Sequence, residues 1–265
     1  MAKKKDPSVT YLNKFGYNVI KLPRIGIEPM DVVGKDETTQ WLGPLRSVWK
    51  SEVAEPVVST PKPAAQIAGQ KTDQMDLSFG LKILANALAA FGATVPSVDF
   101  AFKQARKVQF SYTNVTSVSV SALEAGNYLA KGELNTNNPV VEHYFTGHES
   151  QAFLIVDVLK SDSITVTATD EHGVEVGVDI PAIQGVVGAS VGVKPSGTSA
   201  GTITFSGTQP VSFGFIVDEI EYDGARWSLR GATGISFGAA AAVGGSPTST
   251  GIAPILLGSG CMVRV

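Results

Sequence analysis

Three segments match the pattern G-x-S-x-G, in which a serine on a sharp strand-to-helix turn becomes a nucleophile. They are 188–192 with Ser190, 197–201 with Ser199 and 234–238 with Ser236. Such a serine needs a histidine as general base and a third group to orient it. All three histidines, His143, His148 and His172, precede these serines. That order excludes the α/β-hydrolase succession and leaves only a His-first arrangement. None of the three serines has a convincing strand before it and helix after it, so a serine hydrolase stands only as an alternative. His143 and His148 are five apart, which matches neither one helix face nor one strand face, so they make poor joint metal ligands. Cys261, the one cysteine, has only Arg264 nearby to lower its pKa, which argues against a catalytic thiol. Neither a phosphate-binding loop nor a dinucleotide fingerprint is present. The residues predict no enzyme, no cofactor and no metal.

The elements that would carry these residues read as α+β. Asp6-Pro7 is a helix start and Gly16 its stop, and Tyr17–Leu22 follows as a strand. Residues 51–75 read as a loop broken by Pro56, Pro61 and Pro63. Leu77, Leu81, Leu84, Leu88 and Phe91 recur at helical spacing, with Asp76 as a cap. Val98, Phe100 and Phe102 alternate, as do Val108, Phe110 and Tyr112, which predicts strands. Ser121 and Glu124 form a capping box for a short helix. Strands are then expected at Val140–Phe145, Ala152–Leu159, Ser163–Thr169, Val174–Ile180, Thr202–Phe205, Val211–Val217 and Arg226–Leu229, mainly antiparallel. Within 162–206, Ile164, Val166 and Ala168 alternate with Ser163, Thr165, Thr167 and Thr169. In water that pattern makes a half-buried hairpin; in a bilayer it makes a hairpin with one lipid face and one wet face.

Composition narrows the class. Of 265 residues, 28 are Gly and 14 Pro, and only 17% are charged, against roughly 25% in ordinary globular proteins. A chain that is 43% apolar is too hydrophobic to remain disordered. One cysteine excludes a disulfide framework and a Cys-rich zinc site. No run of 18 apolar residues supports a transmembrane helix, and the basic N-terminus has no apolar segment of the signal-peptide kind. The net charge of -3 hides an asymmetry: residues 1–107 hold 15 Lys/Arg against 10 Asp/Glu, and residues 108–265 hold 6 against 14. A basic front suits an anionic surface, where each Lys or Arg is worth about 1 kcal/mol. Its plainer meaning is a solubilising tail. No nucleic-acid fingerprint accompanies it. No charge of either sign lies between Arg230 and Arg264.

Residues 6–34, DPSVTYLNKFGYNVIKLPRIGIEPMDVVG, resemble the opening of bacterial gasdermins. The pattern is a short helix ending in F-G-Y, a strand N-V-I-K-L-P-R, then I-x-P and an apolar pair. The resemblance implies a twisted, mainly antiparallel central sheet with short surrounding helices, capped by a C-terminal inhibitory peptide. It implies a cytoplasmic monomer whose tail a protease removes, after which the domain oligomerises in the inner membrane into a large β-lined pore. Cell death as antiphage defence would follow. The expected organisation is a pore-forming domain over 1–236, a protease-accessible linker over 237–250 and an autoinhibitory peptide over 251–265.

The cleavage window is placed at Phe237, Gly238, Ala239, Ala240, Ala241, Ala242, Val243, Gly244, Gly245 and Ser246. With no Lys, Arg, Asp or Glu over 231–263, the protease must prefer small or apolar residues, or else cut at Arg230. Ile252, Ile255, Leu256, Leu257, Met262 and Val263 are the expected autoinhibitory contacts; an ordinary last core strand is their other meaning. Lys3, Lys4, Lys5, Lys14, Lys21 and Arg24 are the expected membrane-facing cations, with acidic lipids as partner. The helix over 77–91 and the region 162–206 are the candidates to refold into spanning hairpins. Members of the family commonly carry a lipidated cysteine in the first few residues. Here Ala2, Lys3, Lys4 and Lys5 stand there, so no lipidation is expected at that site. Two explanations stay open: the lysines substitute electrostatically, or the native start differs. Besides the hydrolase, a β-rich structural or binding domain remains the alternative.

Overall fold

Two long stretches of alternating branched and aromatic residues organise the protein, a computed structural model that describes residues 12–36, 38–93, 97–146, 150–187, 190, 192–231 and 256–257. Of Lys21, Leu22, Leu256 and Leu257 only the backbone is described. The strands are β1 (Asn18–Arg24), β2 (Asp31–Lys35), β3 (Thr39–Pro44), β4 (Trp49–Ser51), β5 (Lys62–Pro63), β6 (Met75–Asp76) and β7 (Lys107–Thr113). They continue as β8 (Thr116–Ser119), β9 (Gly132–Leu134), β10 (Gln151–Thr169), β11 (Val193–Ser199), β12 (Thr202–Tyr222), β13 (Trp227–Gly231) and β14 (Leu256–Leu257). Three longer helices are interspersed among the described residues: α1 (Leu77–Ala90), α2 (Ala122–Ala130) and α3 (Ile180–Val187). Twelve strands share one sheet, and β4 with β9 form a second. Each pairing whose register is resolved is antiparallel, as short connections between successive strands favour. The α+β expectation and its mainly antiparallel sheet therefore hold.

The chain divides into two compact units. The first comprises residues 1–27, 61–117 and 159–214, the second 28–60, 118–158 and 215–265. Strands β10 and β12 each belong to both.

In the first unit, α1 buries Leu81, Leu84, Ala87 and Leu88 at helical spacing and lies on β1 and β7. Gly80 permits this close docking, because a Cβ there would overlap the Val108 side chain. Asp76 stands at the predicted cap position, but its side chain makes no capping bond. At the other end Phe91 packs on Gly207, where any Cβ would strike the Phe91 ring. Ile164, Val166, Ala168, Ile203 and Phe205 are buried completely, and Tyr112 stacks on Phe213 at 3.9 Å.

In the second unit, Ser121 caps α2 by accepting from Glu124 N at 3.4 Å, the first half of the predicted box. The core gathers Met30, Val32, Leu45, Trp49, Leu129, Tyr144, Leu154 and Ile220. Trp49 meets Trp227 edge-on at 5.7 Å, and Tyr222 tilts against Trp227 at 5.0 Å. Gly132 leaves room for the Trp49 indole. On β12 and β13, Arg230 donates to Glu219 at 2.6 Å and pairs with Glu221 at 3.0 Å.

Several sequence-based expectations are corrected. Ala152–Leu159 and Ser163–Thr169 belong to one 19-residue strand, and Thr202–Phe205 and Val211–Val217 to one of 21 residues. Val98–Phe102 is a tight helical turn, in which Ala101 and Phe102 are buried and Phe100 is exposed. Val140–Phe145 is helical as well: Asn138 caps Val140 N at 2.9 Å and Pro139 supplies a helical φ, which overrides the alternation. Val174–Ile180 is not a strand; only Glu175 bridges to Thr169. Asp170 accepts from His172 N and Val174 N, each at 2.9 Å, and this turns the chain. Asp179 then caps α3 through Ala182 N at 3.1 Å. The helix expected from Asp6 lies largely outside the described residues. Its end survives as a turn at Leu12–Gly16, with Gly16 at φ 80°.

Candidate functional site

The alternation at 163–169 and 202–206 builds a two-sided ribbon in the first unit. On one side the hydroxyls of β10 meet those of β12: Ser163 and Ser206 at 3.4 Å, Thr165 and Thr204 at 2.8 Å, Thr167 and Thr202 at 3.2 Å. On the other side Ile164, Val166, Ala168, Ile203 and Phe205 form core. A ladder of this kind costs little in water, since each hydroxyl exchanges one partner for another. It ends at Thr169, whose Oγ1 is buried without a hydrogen-bond partner. In register, the next residue of β12's approach is Ala200, which has nothing to donate. The free side of β12 takes β11, with Val193 opposite Gly207 and Lys194 opposite Ser206. Glu175 holds the β11–β12 turn, accepting from Ser199 Oγ, from Gly201 N at 3.1 Å and from Thr202 Oγ1 at 3.4 Å. The sequence signals the ladder through its Ser/Thr alternation. The role of Glu175 depends on the Asp170 turn, which carries no periodic signal.

Among the described residues the serine-hydrolase alternative finds no support in the geometry. Ser190 follows α3 instead of preceding a helix, and Ser199 ends β11 and leads into another strand. Ser236, His148 and Cys261 lie outside the described residues. One Ser–His–Asp set does assemble: His143 Nε2 lies 3.3 Å from Ser150 Oγ and 3.2 Å from Asp36 Oδ2. Both contacts fall on the same ring nitrogen, so the aspartate cannot orient the ring while the other nitrogen serves the serine. This cluster ties the β2–β3 turn instead. Asp36 also accepts from Thr38 N at 2.7 Å and from the Tyr144 hydroxyl at 3.0 Å. Those donors, Thr38 N foremost and His143 next, lower the Asp36 pKa to about 2. Asp218, on β12 in the second unit, is shifted the other way, its pKa raised by burial. Among the described residues no three His, Cys, Asp or Glu side chains converge as a metal site. No described helix is long and apolar enough to cross a membrane.

Of the expected membrane-facing cations, Lys14 is exposed on the turn before β1 and Arg24 ends β1 half-buried. Lys21 lies within β1, and Lys3, Lys4 and Lys5 lie outside the described residues. The whole cleavage window, Phe237–Ser246, is outside them too, as are Ile252, Ile255, Met262 and Val263. Leu256 and Leu257 form β14, whose backbone runs close to β3 in the second unit.

Comparison with known proteins follows the same elements. The Bacterial Gasdermin Family matches residues 20–232. A gasdermin bGSDM from Vitiosangium sp. (strain GDMCC 1.1324) is 38% identical over 217 residues, 81% of each chain. One from Lysobacter enzymogenes is 30% identical, covering 84% of this chain and 83% of its own. The structure of a bacterial gasdermin from Bradyrhizobium tropiciagri shares the fold, with a TM-score of 0.60 at 16% identity over 86% of this chain and 91% of that one. The family match spans β1 to β13, including the hydroxyl ladder, and the chain belongs to the bacterial gasdermin family.

Proposed function

We propose that this chain is an autoinhibited pore former, released when a protease removes its C-terminal peptide. Family membership supplies the general class, a non-enzymatic pore-forming cell-death effector that oligomerises. The finer reading is a cytoplasmic monomer over 1–236 held by residues 251–265, cut within 237–250, then assembled on acidic lipid of the inner membrane. Death of the infected cell is its use against phage. The observation that supports it best is the two-sided ribbon of β10 and β12, hydroxyls on one face and Ile164, Val166, Ile203 and Phe205 on the other. Only β-structure with every backbone group paired, or a helix, can cross a bilayer. A strand with one polar and one apolar face meets the requirement of a barrel wall. Lys14 and Arg24 lie on or next to β1, where an anionic surface would attract them.

The test is dye leakage from liposomes rich in acidic lipid. Full-length protein is expected to leave them intact, and protein cut within 237–250 to empty them. Equal retention of dye by both forms would reject the pore and favour a structural or binding domain.

A further inference from the structure

The second unit holds a carboxylate without a partner. Among the described residues three acidic side chains are buried: Asp31, Asp218 and Glu219. Asp31 accepts from Glu28 N at 3.0 Å and from the Trp41 indole at 2.9 Å. Glu219 accepts from Arg230 at 2.6 Å and from the Gln151 amide at 2.7 Å. Asp218 lies as deep, only 6% exposed, yet no described residue donates to it or pairs with it. Burial alone acts on its pKa and pushes it up. An unsatisfied buried carboxylate is costly, and native folds pair nearly all of them.

The surroundings show what is left open. In the ladder of β12 with β13, Asp218 stands opposite Gly231, which brings no side chain to cover it. The carboxylate lines a cavity of about 340 Å³ between α2 and the β12–β13 pair, inside the second unit. That volume lies within the roughly 300–1,000 Å³ of small-molecule sites. Leu229 and Trp227 form its sheet side, and Trp227, paired with Tyr222, is four residues along the ladder, about 13 Å from the Asp218 end. Gly126 of α2 faces the same space, and a Cβ added there would meet no atom within 4 Å. Alanine would favour the helix and fit without strain, so packing does not require this glycine. Its effect is to keep the cavity open. Arg226 lines the far end and is already paired with Asp223 at 3.6 Å.

These features select a ligand. A cationic nitrogen supplies the partner that Asp218 lacks, through a charge-assisted hydrogen bond. The apolar walls accept an aliphatic stem. The Arg226 guanidinium opposes a second positive charge at the far end. We propose that the cavity between α2 and β13 binds a primary alkylammonium, its nitrogen on the Asp218 carboxylate and its unbranched stem along Gly126 and Leu229 towards Trp227. The site lies apart from the hydroxyl ribbon that supports the pore-forming reading, so the two can fail separately.

The test is isothermal titration calorimetry of the full-length protein with pentylammonium chloride near neutral pH, where saturable binding to a single site is expected. Asp218→Asn, which keeps the shape of the side chain, should weaken binding by about tenfold or more, the loss of one charge-assisted hydrogen bond. Pentanol, the same stem without the charge, should bind the parent protein weaker by a similar factor. Pentane diamine should bind less tightly than pentylammonium because its second charge meets Arg226. Gly126→Leu should fill the cavity and abolish binding with Tm unchanged or raised. Absence of saturable heat with the parent protein would overturn the site. So would affinity unchanged in Asp218→Asn, equal binding of pentanol, or full binding by Gly126→Leu. Tighter binding of the diamine would overturn the placement of the stem. Asp218→Asn and the alcohol decide the matter even if Gly126→Leu fails to fold.

Discussion

The two units solve the same packing problem with different materials. The second unit fills its core with large aromatic side chains, Trp49, Trp227, Tyr128 and Tyr144, and fixes β13 to β12 with the Arg230–Glu219–Glu221 ion pairs. The first also buries large rings, Phe91, Phe102, Phe110 and Phe205, but among the described residues has one ring stack, Tyr112 on Phe213, and it joins β10 to β12 through hydroxyls. Interlocked aromatic rings have one good arrangement, because dense cores leave few alternatives. A hydroxyl exchanges partners at little net cost. The contrast separates a body built to stay as it is from a ribbon whose contacts can be remade.

Three variants grade that contrast. Trp49→Ala, in the second unit, should cost the most, about 3–5 kcal/mol, because it leaves a large cavity beside Trp227 and Gly132. Thermal unfolding should show it as the deepest loss of Tm; a change no larger than a surface substitution would mean that this core is not the rigid partner. Gly207→Val, in the first unit, should cost about 1–3 kcal/mol by forcing Phe91 off its seat. Denaturant unfolding of the full-length chain measures it, and an unchanged midpoint would show that α1 shifts freely. The smallest effect is expected from Thr165→Val combined with Thr204→Val. Removing both partners of one rung together should change stability by no more than about 0.5 kcal/mol. A larger loss in the same measurement would make the ladder a structural bond and erase the distinction between the units.

The sequence makes these regions legible to different degrees. Period-two runs such as Ile164, Val166 and Ala168 against Thr165 and Thr167 identify both faces of β10, because burial follows the pleat directly. The Leu repeat at 77–88 gives α1 for the same reason at helical period. Alternation misleads at Val98–Phe102, where Ser97 Oγ accepts from Asp99 N at 3.1 Å as the chain enters a helical turn, and at Val140–Phe145, where Asn138 capping and a proline-set φ impose a helix on residues that would also suit a strand. At Val174–Ile180 the competing signals are Asp170 and Asp179, each binding backbone N–H groups ahead of it. The length of β12 is hidden by Gly207 and Pro210, which read as breaks and are carried inside the strand. Of the candidate site, the two faces are legible from residues alone. The pairing of β11 with β12 is not, because it depends on a turn at Ala200–Gly201 that Glu175 holds from a distance in sequence.

The placement of the indoles has a practical consequence for spectroscopy. The protein has three tryptophans, and Trp41, Trp49 and Trp227 all belong to the second unit. Trp41 donates to Asp31 at 2.9 Å, and the other two meet edge-on. Intrinsic emission is therefore a built-in reference signal for the second unit alone. A rearrangement confined to α1, α3 and β11 passes without a change in its wavelength, and a shift of that band marks an event that has reached the aromatic body.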